Sequence, residues 1–135
     1  MKLTHAAATL VATFSFAALA TPSFAAGDPA KGRTLFNQCR ACHQIGADAQ
    51  NSVGPVLNGV VGRKAGSYPG YNYSDANKNS GLTWDAATLD EYLKDPRGKV
   101  PGTKMIFPGI KQDDRRADVI AFISTIKENG DGAEE

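Results

Sequence analysis

The chain has 135 residues, with 15 Lys and Arg against 14 Asp and Glu, a formal net charge of +1, and two cysteines. This length argues for one domain. The near balance of charge does not suggest a nucleic-acid binder, and no nucleic-acid partner is expected.

The first 25 residues read as a signal peptide. Lys2 supplies a positive start, Ala6 to Ala20 is an apolar run broken only by small hydroxyl residues, and Ser23-Phe24-Ala25 puts small residues where a signal peptidase reads. Cleavage is expected after Ala25, leaving a domain over residues 26–135. The run is short for a span of about 20 residues and Pro22 follows it, so no stable membrane insertion is expected. Export implies an oxidising compartment, the periplasm of a bacterium. Lys2 leaves with the signal, so 14 bases then face 14 acids.

Asp28 and Pro29 form a helix start, an acceptor at the N-cap followed by proline at the first helical position. A helix is predicted over 29–38, with Leu35 and Phe36 facing inward. Chain rich in Gly and Asn follows from Gly46 to Gly81, too punctuated for a sheet. Short helices are predicted over 75–79 and, after Thr83, over 85–94, the latter with Leu89, Tyr92 and Leu93 as its apolar stripe. The last helix is predicted over 112–127: Val119, Ile120, Phe122, Ile123 and Ile126 recur at helical spacing and Gly130 is a stop signal. Residues 128–135 carry Glu128, Asp131, Glu134 and Glu135 and are expected to form a mobile acidic tail. The fold class is all-α with long loops. Loops of this length are uncommon in a compact domain unless they wrap something functional, and a large flat apolar cofactor would supply the missing core.

Cys39-Arg40-Ala41-Cys42-His43 reads as a c-type haem attachment site. Two thiols three positions apart can each add to a haem vinyl group, and His43 then brings its imidazole under the iron. A disulfide between them would close a very small loop and contribute little chain-entropy stabilisation. A zinc site needs about four ligands, and after cleavage only Cys39, Cys42 and His43 are good ones. A thiol–disulfide exchange module wants a βαβ setting that this chain does not show. With His5 and Met1 in the signal, His43 is the remaining histidine and Met105 the remaining methionine. Two readings stay open for Met105. As an iron ligand it closes the site; as a core gap-filler it leaves an open iron, the site of a haem enzyme or gas sensor. The irregular loop Pro101 to Gly109, fixed by its prolines and glycines, favours the ligand. His/Met ligation raises the reduction potential relative to more electron-donating sets.

At these residues the chain resembles the class I cytochromes c, of the mitochondrial and compact bacterial cytochrome c-two kind, over essentially all of residues 26–135. Gly32 and Phe36 with Val119 and Phe122 match the packing of the family's terminal helices. The resemblance implies three to five helices and long loops wrapped around one covalent haem c, with His43 and Met105 as axial ligands. Val53 to Arg63 matches the segment lining the histidine side, and the resemblance implies that the Pro55 carbonyl accepts the other ring N–H of His43. It implies that Arg63, Tyr73 and Trp84 pair with a buried propionate, that Tyr92 sits beside the methionine sulfur, and that Phe107 shields the haem edge. Gln38 and Gly98 depart from the family, standing where mitochondrial members often carry basic docking residues.

The function implied is a one-electron carrier rather than an enzyme, a monomer that shuttles between redox complexes. A cytochrome bc complex or dehydrogenase is the implied donor, and an oxidase or photosynthetic reaction centre the acceptor. Arg40, Lys94, Arg97, Lys99 and Lys104, with Lys31 and Lys111, would surround the exposed haem edge and steer partners with acidic docking surfaces.

Overall fold

A computed structural model describes residues 26–133; the expected signal peptide lies outside the described residues, as do Glu134 and Glu135. Among the described residues five helices follow in chain order: α1 (Pro29–Phe36), α2 (Asp75–Lys78), α3 (Ala86–Lys94), α4 (Pro96–Lys99) and α5 (Asp113–Thr125). Among the described residues the only β pairing is an isolated antiparallel bridge between Lys64 and Thr83. The expected all-α class is the class observed.

Helix α1 starts as its sequence dictates. The Asp28 carboxylate accepts from the amides of Ala30 and Lys31, at 2.9 and 3.3 Å, and Pro29 occupies the first turn. It ends two residues earlier than predicted, because the chain tightens at Asn37 and Gln38 to three-residue hydrogen bonds on Thr34 and Leu35. Cys39 to His43 therefore lie in a run of turns just beyond the helix. Two helix-like bonds survive there, from the Arg40 amide to the Phe36 carbonyl at 3.3 Å and from the His43 amide to the Cys39 carbonyl at 2.9 Å.

Helix α4 was not anticipated from sequence. Asp95 caps it by accepting from the Gly98 amide at 3.1 Å, and Pro96 fixes its first turn. A Cβ on Gly98 would overlap that capping carboxylate. Helix α5 has no side-chain cap, but Asp113 and Asp114 stand in its first turn, where the helix dipole favours negative charge. It stops at Thr125, short of the predicted Lys127, because Ile126 turns extended and gives its carbonyl to the Gly59 amide at 3.1 Å.

The core sits where α1 crosses α5. Gly32 is buried, and a Cβ there would overlap the Asp118 carbonyl oxygen and approach Phe122 Cβ to 2.8 Å. Below it the Phe36 and Phe122 rings meet edge to face, with centroids 5.4 Å apart. Asp118 also accepts from the Asp28 amide at 2.7 Å, tying the start of α1 to α5. Helix α3 is tied in by Arg116, which is 2% exposed. Its guanidinium reaches Asp90 at 2.7 Å, Asp113 at 2.6 Å, and the carbonyls of Ile110 and Lys111. A buried guanidinium is tolerable only when its donors are taken up in this way.

Residues 128–133 fold back onto the domain. The Lys127 amide bonds the Asp131 carbonyl at 2.9 Å, Arg33 donates to the Ala133 carbonyl at 3.0 Å, and Ala133 is 2% exposed. Gly130 and Gly132, both at φ +89°, permit the reversal that puts this apolar residue inside.

Substituting Gly32→Ala tests the crossing. The overlap is with backbone, which cannot rotate away, so its cost lies at the upper end of the roughly 1–3 kcal/mol for overpacking, and about 1 kcal/mol of helix propensity is regained. The expected outcome is a net loss of about 2 kcal/mol, read as a lower urea midpoint with an unchanged m-value.

Candidate functional site

The chain encloses a largely apolar cavity of about 370 Å³. Its wall includes every site residue expected from sequence: Cys39, Cys42, His43, Pro55, Arg63, Tyr73, Trp84, Tyr92, Met105 and Phe107. Phe36, Val119 and Ile123 bring the crossing of α1 and α5 to the same surface, and Leu89 and Leu93 bring α3. Most of the remaining wall is loop.

On one side stands His43. Its Nδ1 lies 2.7 Å from the Pro55 carbonyl oxygen. A carbonyl can only accept, so Nδ1 carries the proton and Nε2 keeps its lone pair. Burial holds the imidazole pKa below its ordinary value, against the opposing pull of the Pro55 bond and with a smaller contribution from the Arg63 charge. A neutral imidazole with a free Nε2 is what a metal requires. The ring lies against Gly54, where a Cβ would come within 2.6 Å of Nδ1 and 2.8 Å of Nε2. Only glycine leaves room for the ring in this position.

The loop bearing Met105 lines the same cavity. The Tyr92 hydroxyl donates to Met105 Sδ at 3.3 Å and lies at the same distance from Thr103 Oγ1. Thr103 Oγ1 also accepts from the Met105 amide at 3.3 Å. Burial raises the Tyr92 pKa, so the phenol stays protonated and able to donate. Trp84 packs on Tyr92, with ring centroids 4.7 Å apart. Lys104, beside Met105, donates to the Asn72 carbonyl at 2.7 Å and ties the two loops together.

Arg63 reaches the cavity from a firm anchorage. Its guanidinium donates to the carbonyls of Asn58 and Val56, each at 2.9 Å, and lies over the Tyr68 ring. Tyr73 accepts from the Tyr68 amide at 3.3 Å. Asn77 was missed from sequence: it lines the cavity, is 8% exposed, and its side-chain oxygen has no partner. Also missed were Gly54, Thr103 and Tyr71, whose hydroxyl donates to the Val53 carbonyl at 2.6 Å. The available signals were the Gly54-Pro55 pair and the position of Thr103 two residues before Met105.

Both cysteines are free and partly buried. Burial, with a smaller contribution from Cys42 nearby, pushes the Cys39 thiol up to about 11. A thiol used for disulfide exchange is tuned the other way. Among the described residues no group of three or more His, Cys, Asp and Glu side chains is placed to hold a metal ion by itself. The donor set therefore fits a flat, largely apolar ring that brings its own metal. Two thiols, an imidazole and a thioether of the cavity lining would hold such a ring, and Asn77 has a buried side-chain oxygen without a partner that its polar groups would meet.

The family model for cytochrome c matches residues 29–127. The chain belongs to the cytochrome c family. It is similar to cytochrome c2 of Rhodomicrobium vannielii, 64% identical over 103 residues that cover 76% of this chain and 82% of that one. Among solved structures it resembles cytochrome cH from Methylobacterium extorquens, at a TM-score of 0.70 and 53% identity, over 73% of this chain and 99% of that one. It also resembles cytochrome c2 from Rhodospirillum centenum, at a TM-score of 0.72 and 38% identity, over 75% and 99%. The chain is thus a class I cytochrome c of the c2 group, an electron-transfer protein rather than an enzyme, with one covalently attached haem c.

Gly54→Ala tests the packing on the histidine. The added methyl drives the ring off Gly54 and away from Pro55, so the unfolding free energy is expected to fall by about 1–3 kcal/mol. The Nδ1 proton resonance of His43 should move with it in the NMR spectrum, whereas a variant that merely loosens the loop leaves that resonance in place.

Proposed function

We propose that the chain is a periplasmic one-electron carrier in which Cys39 and Cys42 form the two thioethers and His43 and Met105 are the axial ligands. The observation that carries this reading is the pairing of supports in the wall of one cavity, His43 on Pro55 at 2.7 Å and Met105 with Tyr92 at 3.3 Å. Bound haem supplies an iron that takes up and releases a single electron. Pro55 and Gly54 keep the imidazole oriented, while Tyr92 and Thr103 keep the thioether in place. Neither ligand need move between oxidation states, which keeps reorganisation small. Arg63, Tyr73 and Trp84 are proposed to meet the buried propionate with Asn77, and Phe107 to shield the ring edge. Before it functions, the chain is exported by its signal peptide and cleaved after Ala25.

Electron exchange is proposed at the cavity mouth, where Val53 and Ile106 are exposed apolar residues. Of the bases expected around it, Lys31 pairs with Asp28 and Lys99 with Glu91. Among the described residues Arg40, Lys94, Arg97, Lys104 and Lys111 make no ion pair with a carboxylate. Their free charge supports docking of a monomer, through short-lived contacts, to partners with acidic surfaces such as a cytochrome bc complex or dehydrogenase and an oxidase or photosynthetic reaction centre. No helix among the described residues is long and apolar enough to cross a membrane.

The oxidised holoprotein is expected to show the weak sulfur-to-iron charge-transfer band at neutral pH. Met105→His should abolish that band and lower the midpoint potential. Absence of the band from the parent protein would replace this reading with an open iron, that of a haem enzyme or gas sensor.

With a redox partner bearing acidic patches, the bimolecular rate should fall about tenfold or more between low salt and roughly 1 M salt, where the Debye length is about 3 Å. A flat profile would remove electrostatic steering from the proposal.

A further inference from the structure

Segments 42–46 and 54–58 run side by side in the same direction, joined by a series of hydrogen bonds. The Gly54 amide bonds the Cys42 carbonyl at 2.8 Å, and the Leu57 amide bonds the Gln44 carbonyl at 3.1 Å. Between these two rungs Pro55 has no N–H to give, and the link at that level is made by the His43 ring on the Pro55 carbonyl. At Gly46 the backbone turns away with φ +109°. There the buried Asn58 side chain makes both bonds, accepting from the Gly46 amide at 2.9 Å and donating to its carbonyl at 2.8 Å.

The C-terminal turn covers this end of the ladder. A Cβ on Gly130 would overlap the Gly46 backbone, and Ala133 lies beside Gly46. Gly130 and Ala133 fall beyond residues 29–127, which the family model matches.

We infer that Asn58, held under the turn at residues 127–133, is a positioning residue for His43: it fixes the register that keeps the Pro55 carbonyl on His43 Nδ1. A strong bond at Nδ1 makes the imidazole a better donor to a metal at Nε2, and a better donor stabilises the ferric state. Loosening the Asn58 end of the ladder slackens the His43–Pro55 bond and shifts the equilibrium toward ferrous. The inference rests on the reading of His43 as an axial ligand.

The test compares the midpoint potential, the His43 Nδ1 proton resonance and the unfolding free energy of the holoprotein in Asn58→Ala, Asn58→Asp and Gly130→Ala. Gly98→Ala serves as a control destabilised at the cap of α4, a helix that does not line the cavity. Asn58→Ala is expected to raise the ferrous-to-ferric ratio at a fixed electrode potential at least twofold, about 18 mV at 59 mV per tenfold change, and to shift the Nδ1 resonance. Asn58→Asp, which keeps the acceptor and loses the donor, should fall between it and the parent. Gly98→Ala should lose stability with no change in potential. If Asn58→Ala yields no holoprotein, Gly130→Ala carries the test, since it loads the same rung from outside and leaves Asn58 in place. Variants that lose stability at the parent's potential and resonance would overturn the inference and leave Asn58 a structural staple. Failure of the underlying reading is separately visible, because the parent holoprotein would then lack a ligated-histidine resonance.

Discussion

Because no side chain separates the backbones at Gly32, α1 and α5 approach closely enough for Phe36 to reach Phe122 and for the Asp28 amide to reach Asp118. That crossing provides the rigid surface from which a mostly irregular chain can be hung. Three residues beyond Phe36 the chain arrives at Cys39 in a fixed place, and Val119 and Ile123 of α5 present their side chains to the same cavity. Arg116 extends the frame to α3, so that Leu89, Tyr92 and Leu93 form the wall beside Met105.

Loops that carry the proposed axial ligands must be held by something other than helical hydrogen bonds, and here each of the two residues has its own device. His43 is oriented by a carbonyl on a proline, which leaves the backbone there with nothing else to donate. Met105 is oriented by hydroxyls, the Tyr92 phenol on its sulfur and Thr103 on its amide. The two sides are then laced together around the rim, by Tyr71 on Val53 and by Lys104 on Asn72.

Much of this was legible in the sequence because the signals were local. Asp28 with Pro29 marked the start of α1, the apolar stripe on α5 marked its buried face, and the Cys39 to His43 spacing marked the chemistry. What escaped was set by contacts distant in sequence. The end of α5 depends on Ile126 meeting Gly59, and the packing of residues 128–133 depends on Gly46 and Arg33, neither of which a reading of acidic residues could reveal. Helix α4 is only four residues long and has no stripe to detect; its signal was Asp95-Pro96, a cap and a first-turn proline. Asn77 looked like one polar residue among several in the short helix predicted over 75–79, and its unpartnered oxygen emerges only with the cavity.

Gly98 connects this local geometry to partner choice. Members that carry a base at this position gain a docking charge; in this chain the space beside the Gly98 Cα is filled by the carboxylate of Asp95, which caps α4. Installing a lysine would turn that carboxylate off the Gly98 amide, at a cost of about 1 kcal/mol for a lost cap, and would leave Asp95 free to neutralise the charge just added. Exchanging the proposed docking surface for a mitochondrial one is therefore a two-position problem, in which residue 95 has to change together with residue 98.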